Sequence, residues 1–358
     1  MVKVKEKFPR LDDGRIDLQQ WLATHFSNYS QASFDIIATA SEYAQICSVD
    51  NATFYGQSCF EQALECAEIL AQLHADNTTI AAGIVFCSMQ GIDITLEDVQ
   101  EHLDNEVCLL IKGMNKMSAI RLLHQQTNKG SNAQVDNLRK MLLAMVSDIR
   151  VVLITLAQRL CIMRGIQVLG HDERRDYAEE TEDIYAPLAN RLGISDIKWE
   201  LEDLSFHDSN PSTYQLLAKA LNEKRRDRQV RVDNIIELLT NKLTALNIKV
   251  QVTGRAKHIF SIYKKMQRKE VGFDEVYDTH AVRIIVDTKE QCYQALSLVH
   301  DLWPPIKEEF DDYISSPKPN GYQSIHTAVT DKDNKYLEIQ IRTEKMHQES
   351  ELGVAAHW

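Results

Sequence analysis

The stretch that decides the fold is IKVQVTGRAKHIFSIYKKMQRKE, Ile248 to Glu270. Its opening residues alternate in the period of two that belongs to a strand, and after Gly254 the apolar positions Ile259, Ile262, Tyr263 and Met266 recur at helical spacing. Two later runs, AVRIIVD (281–287) and YLEIQIRT (336–343), alternate in the same way with helical stretches between them. Residues 246–358 therefore predict an α+β domain around a small mixed sheet. Upstream the pattern is different. From about Gln31 to His207 the apolar spacing is helical nearly throughout, as in FEQALECAEILAQLHA (60–75) and NLRKMLLAMVSDIRVVLITLAQRLCIMR (137–164). Residues 1–195 read as an all-helical domain. Residues 196–245 read as a helical connector that follows breaks at Pro187 and Gly193.

At 358 residues the chain has room for two domains. Its formal net charge of -12 argues against coating nucleic acid by bulk electrostatics, so any polyanion must meet local basic patches. Seven cysteines without a C-x-x-C pair fit a reducing compartment and mostly buried thiols. No apolar run approaches the roughly 18 residues of a membrane span, and the N-terminus has no apolar core for a secretion signal. The expectation is a cytoplasmic protein with no membrane partner. The chain stops at ELGVAAHW, apolar and helical, where natural termini usually turn polar, which reads as a piece of a longer protein.

Several segments carry possible chemistry. In YLEIQIRT, alternation puts Leu337, Ile339 and Ile341 on one face and Glu338, Gln340 and Arg342 on the other, a reactive surface or a solvated one. Helical spacing groups Lys257, Ser261, Lys264, Lys265 and Arg268 on one side of a helix that follows Gly254 and Arg255 at a strand-to-helix turn. Such a face can hold phosphates or face water, and it is not a Walker loop. Asp278, before the AVRIIVD strand, is a turn former unless paired with a second carboxylate such as Glu338, when the two would suit Mg²⁺. In SPKPNGYQSIHTAV (316–329), Lys318 is a point charge and Asn320 and Gly321 make a turn. Tyr322, at the start of a strand, can stack a base or lie half-buried. Immediately before this loop stands the acidic run EEFDD (308–312).

Taken together, GRAKHIFSIYKKM, FDEVYDTHAVRI, EFDDYISSPKPNGYQSIHT, LEIQIRTEKMH and ELGVAAHW resemble the (p)ppGpp synthetase domain of the Rel/SpoT family, most closely its RelA branch. YAPLANRLGISDIKWELEDLSF resembles the family's interdomain stretch, and the resemblance runs from about residue 30 to the end. It implies an HD-like helical domain, here a pseudo-hydrolase, followed by a nucleotidyltransferase-like mixed-sheet synthetase domain. It also implies a stringent-response GTP/GDP pyrophosphokinase that moves the β,γ-pyrophosphate of ATP to the 3′-OH of GDP or GTP with Mg²⁺. Carried onto this sequence, Arg255 and Arg283 would sandwich adenine, and Lys257, Ser261 and Lys265 would cradle the ATP phosphates. Asp278 and Glu338 would hold Mg²⁺, with Glu338 the candidate general base. Tyr322 would stack guanine, with Lys318, Asn320, His326 and Gln340 around the acceptor.

Two departures mark the branch. The hydrolase pattern of a histidine, a His-Asp pair, a Glu-Asp pair and a later aspartate is replaced by Gln62, Phe86-Cys87, Gln90-Gly91 and Gln158. None of these is an imidazole or carboxylate, which implies an inactive hydrolase. The dipeptide His171-Asp172 follows Gly170 in a loop and lacks the Glu-Asp pair after it. Where bifunctional relatives carry a basic Arg-x-Lys-Asp pattern, this chain carries Glu309, Asp311 and Asp312, the acidic version of the monofunctional branch. Anions beside a polyphosphate imply a steeper Mg²⁺ dependence, a second ion near Asp311 and a preference for GDP. The rival readings are a bifunctional or hydrolytic (p)ppGpp phosphohydrolase and a non-catalytic nucleotide sensor. Contacts with the ribosome and uncharged tRNA are expected only through domains C-terminal to this stretch.

Overall fold

Short polar residues start the helices of the first half. The side chains of Asp17, Ser30, Ser58, Asp76 and Thr95 each accept a hydrogen bond from a first-turn backbone N–H, at the starts of Leu18–Phe26, Gln31–Cys47, Cys59–Gln72, Asn77–Ser88 and Leu96–His102. The computed structural model describes residues 8–48, 51–90, 95–126, 148–223, 225–256, 258–270, 272, 280–330 and 336–352. These fall into two compact units that divide between Ala189 and Asn190.

The first unit is helical. Cys59–Gln72, Asn77–Ser88 and Ile149–Gly165 pack together through Gly83, where an added Cβ would meet Leu70, Cys66 and Ile154. Glycine is therefore what allows the three helices this close an approach. The segment Ile149–Val168 is a correction to the sequence reading: by length and a mean hydropathy of 1.5 it could cross a membrane. Two thirds of it is buried inside the unit, and it carries the buried Arg159. Arg159 donates from Nε to Thr181 Oγ1 (2.7 Å) and from Nη2 to the Tyr177 carbonyl (2.7 Å), and pairs with Glu180 (2.9 Å). Its guanidinium also lies 4.4 Å from the Tyr185 ring centroid. Residues Thr181–Tyr185 form a π turn between helices His171–Glu180 and Ala186–Arg191. At Pro187 the chain thus widens instead of breaking, because proline cannot donate to the carbonyl four residues back and crowds it. His171 and Asp172, expected in a loop, head an exposed helix.

The second unit is built on a five-stranded mixed sheet: β1 (Val250–Ala256), β2 (His280–Val286), β3 (Asp311–Asp312), β4 (Ile325–Thr330) and β5 (Tyr336–Thr343). The order is β1-β2-β5-β4-β3, with β2 and β5 parallel and the other pairs antiparallel. One face buries Val282, Ile284, Val286, Ile325, Val329, Leu337, Ile339 and Ile341. Helix Arg225–Ala245 adds Val232, Ile235, Leu239 and Leu243 to this core, and Lys289–Leu302 adds Cys292, Ala295 and Val299. Residues 196–245, expected as a connector, thus lie inside the second unit, because this apolar stripe completes its core. Gly254 and Arg255, expected at a turn, both lie within β1, where Gly254 lets Val232 pack directly on the strand backbone. Tyr322 precedes β4 by a loop, and is not at the strand's start.

Candidate active site

Strand register assembles the site on the face opposite the core. One row across the sheet reads Asp311, His326, Gln340, Arg283 and Thr253; the next reads Ala328, Glu338, Ala281 and Arg255. Residues drawn from five separate stretches of sequence thereby share one surface. Gln340 donates from Nε2 to Glu338 Oε1 at 2.9 Å, which fixes the carboxylate against the sheet. Arg283 pairs through Nη2 with Glu351 at 3.2 Å, and Arg342, almost fully buried, holds the same carboxylate oxygen at 2.8 Å. Burial alone would raise the Glu351 carboxyl. Side-chain hydrogen bonds with His347 and Asp196 and the fields of Arg283 and Arg342 outweigh it and hold the carboxyl well below the usual range.

Helix Ile259–Lys269 brings Ser261 and Lys265 to the site, with Ile259, Tyr263 and Met266 packed around Phe206 and Phe260. Its start is held from a distance. The buried Asp203 accepts from the Phe260 backbone N–H (3.0 Å) and faces His258 Nδ1 at 3.1 Å, while Trp199 stacks on the His258 ring. This is an N-cap supplied by another helix, and no local sequence signal announces it.

In the Lys318 loop, Gly321 N–H donates to the Lys318 carbonyl (2.8 Å), Pro319 occupies the second position, and Gly321 takes a φ of +79°. Asn320 accepts from the Tyr322 N–H (3.3 Å) and donates to the Asn190 carbonyl (3.1 Å). Tyr322 and His326 meet through Oη and Nε2 at 2.8 Å. The Lys318 ammonium lies 4.2 Å from the Tyr313 ring centroid and 5.4 Å from that of Tyr322. Burial pushes the Lys318 amine down, Asp311 opposes this, and the charge of Lys198 adds to it.

The acidic run divides by direction. Glu309 pairs with Lys265 at 3.8 Å. Asp311 stands in the row with His326 on the site face. Asp312 points the other way and builds a turn, accepting from the backbone of Ile314 (2.9 Å) and Ser315 (3.0 Å) and from Tyr293 Oη (3.0 Å). Those donors outweigh burial and hold its carboxyl below the ordinary value.

Ser261, Lys318, Asn320, Tyr322, His326 and Gln340, all expected at the site, line one cavity of about 270 Å³. Glu338, Arg283, Lys265 and Asp311 stand outside its lining but adjoin it along the strands and the helix. Lys257 and Asp278 lie outside the described residues, and Arg255 is placed by its backbone alone. The cavity is also lined by Asn190, Ser195, Lys198, Trp199 and His258. The sequence reading missed them because four of them, Asn190, Ser195, Lys198 and Trp199, stand in YAPLANRLGISDIKWELEDLSF (185–206), which it read only as an interdomain stretch. Magnesium asks for one or two carboxylates and completes its shell with water and phosphate oxygens. Glu338 is a half-buried carboxylate on the polar site face beside the cavity, a donor type that fits the ion.

Of the positions that the family resemblance aligns with hydrolase ligands, Gln62 and Cys87 are fully buried on neighbouring helices. Phe86, Gln90 and Gln158 are half-buried, and Gly91 lies outside the described residues. Both amide atoms of Gln62 are buried without a hydrogen-bond partner. An unpaired buried polar group costs about 1–3 kcal/mol. Gln62→Leu is therefore expected to raise stability by about 1 kcal/mol, read from urea unfolding midpoints. A loss of that size would show that the amide is bonded to a buried water instead.

Residues 40–195 match the HD domain family, and residues 254–358 match the region found in RelA / SpoT proteins. The chain is 45% identical over 295 residues to a GTP pyrophosphokinase of Photobacterium angustum, covering 82% of this chain and 40% of that protein. It is 43% identical over 349 residues to the GTP pyrophosphokinase of Escherichia coli strain K12, covering 96% and 46%. It is also 42% identical over 304 residues to a Synechocystis protein named probable guanosine-3′,5′-bis(diphosphate) 3′-pyrophosphohydrolase, covering 85% and 39%. The chain thus spans less than half the length of these relatives. With a helical HD domain followed by a mixed-sheet RelA/SpoT region, the chain belongs to the Rel/SpoT family.

Proposed function

We propose that this chain is a (p)ppGpp synthetase of the monofunctional, RelA-type branch, with an HD domain that no longer hydrolyses. The observation that carries the reading is the register that gathers Glu338, Gln340, Arg283, His326 and Asp311 on one face beside a cavity holding Lys318, Tyr322 and Ser261. ATP would lie along β1, β2 and helix Ile259–Lys269. Arg255 and Arg283 are diagonal neighbours on one face, and such positions sit about 7 Å apart, twice the thickness of a stacked ring. Ser261 and Lys265 would take the phosphates and Tyr322 the guanine. The acceptor 3′-oxygen then bonds to the β-phosphorus as the bond from that phosphorus to the bridging oxygen of AMP breaks, and AMP leaves with the electron pair. Glu338 receives the hydroxyl proton. Magnesium, held by Glu338 and Asp278, would supply charge neutralisation for the triphosphate.

The inactive-hydrolase reading is supported by Gln62, Cys87, Phe86, Gln90 and Gln158 at the positions of the metal ligands and catalytic pair. The preference for GDP is supported by Asp311, whose carboxylate would oppose a longer phosphate tail beside Lys318. The test is to incubate the chain with labelled ATP, Mg²⁺ and GDP or GTP in parallel. Guanosine nucleotide bearing a 3′-pyrophosphate, with one AMP per product and faster turnover of GDP, is the expected result. No product at high enzyme concentration sinks the synthetase reading, and Mn²⁺-dependent release of pyrophosphate from ppGpp sinks the inactive-hydrolase reading.

A further inference from the structure

We infer that Lys198 is a second cation for the 5′-phosphates of the acceptor nucleotide, sharing that work with Lys318 and making helix Ser195–Ser209 one wall of the acceptor site. The inference rests on the synthetase reading above. A guanosine nucleotide offers three separate ends to a site: its base, its ribose 3′-hydroxyl and its 5′-phosphates. With guanine on Tyr322 and the 3′-hydroxyl toward Glu338 and the ATP phosphates, the 5′-phosphates leave the ribose away from both. They need cations that the ATP does not occupy.

Two lysines line the cavity, Lys318 and Lys198. They are close enough that, together with burial and against the opposing field of Asp311, the charge of Lys198 lowers the affinity of Lys318 for its proton. Like charges gathered in one cavity repel unless an anion lies between them. The surroundings of Lys198 leave that charge over. Its Nζ is 3.6 Å from Glu202 Oε2, but Glu202 also takes Lys264 at 3.5 Å, so one carboxylate serves two ammoniums. Lys265, by contrast, is paired with Glu309, and on the proposed reading serves ATP. The Lys198 side chain is 25% exposed and flexible enough to turn from Glu202 to a phosphate. Ser195, one turn earlier, lines the same cavity.

The experiment measures equilibrium binding of GDP, GTP and guanosine to the whole chain by calorimetry, for wild type, Lys198→Ala and Lys198→Arg, with acceptor and ATP KM in parallel. Lys198→Ala is expected to weaken GDP at least tenfold and GTP by more, to leave guanosine and the ATP KM within twofold, and to be largely rescued by Lys198→Arg. Unchanged GDP affinity overturns the inference and leaves Lys198 as a helix-surface ion pair. Equal loss of guanosine and GDP overturns it as well, since a disturbed cavity wall would do that. Should the alanine protein lose helical signal, Lys198→Gln, which keeps most of the stem, takes its place with the same expectations. A wild type that binds GDP but forms no product defeats the synthetase reading; a wild type that forms product while Lys198→Ala binds GDP normally defeats only this inference.

Discussion

Glu338→Gln is expected to lower the rate of 3′-pyrophosphate formation by about three orders of magnitude while ATP and GDP still bind within about threefold. General-base roles of this kind are worth roughly 10²–10⁴ in rate. The substitution isolates charge from shape. A glutamine fills the same space on β5 and keeps an oxygen for the Gln340 amide, which now donates to Glu338 Oε1 at 2.9 Å. It can neither take the proton of the ribose hydroxyl nor offer an anionic oxygen to a divalent ion. Loss of turnover with binding retained therefore separates a working synthetase from a nucleotide sensor, whose wild type would turn over no faster than the variant. Retention of more than a tenth of the activity would remove Glu338 from the proton transfer and turn attention to Asp278. Loss of nucleotide binding together with turnover would make the carboxylate a scaffold for Gln340 and the sheet.

Much of this site was legible because strands alternate. YLEIQIRT declares without any structure that Glu338 and Gln340 face away from Leu337, Ile339 and Ile341, and the core and site faces of β5 follow that division. What alternation cannot declare is register. That Asp311 shares a row with His326 while Asp312 turns toward Tyr293 depends on how a two-residue strand pairs with β4, and no single run of residues encodes it. The same limit hid Asp203, whose bond to the start of helix Ile259–Lys269 crosses more than fifty residues of sequence. It also hid Lys198 and Trp199, which read as parts of a helical connector, and Asn190, which read as the end of the helical domain, until folding sets them around the cavity. The helix Ile149–Gly165 misleads in the opposite direction. Its length and hydropathy alone would pass for a membrane span, and only the neighbours that cover it make it a core helix.

Arg159 carries the other large effect, and it lies in the first unit. Arg159→Met is expected to lower the stability of that unit by about 3–5 kcal/mol, the range for breaking a buried charge pair from one side. The guanidinium is almost fully buried and joins the helix Ile149–Gly165 to Glu180, Thr181 and the Tyr177 carbonyl while stacking near Tyr185. Methionine keeps the stem's volume but returns none of those bonds. It also leaves the Glu180 carboxylate, 12% exposed, without the Arg159 charge. Urea unfolding gives the total. Hydrogen exchange at residues 177–185 gives the location, because Arg159 holds Tyr177, Glu180 and Thr181, which lead into the π turn. Adding Glu180→Gln to Arg159→Met should recover a measurable part of the loss if the charge is the main cost. No recovery would assign the energy to the neutral bonds with Thr181 and Tyr177. A single variant within 1 kcal/mol of wild type would mean that packing of the π turn, with Tyr185 and Ala186 buried, suffices without the arginine.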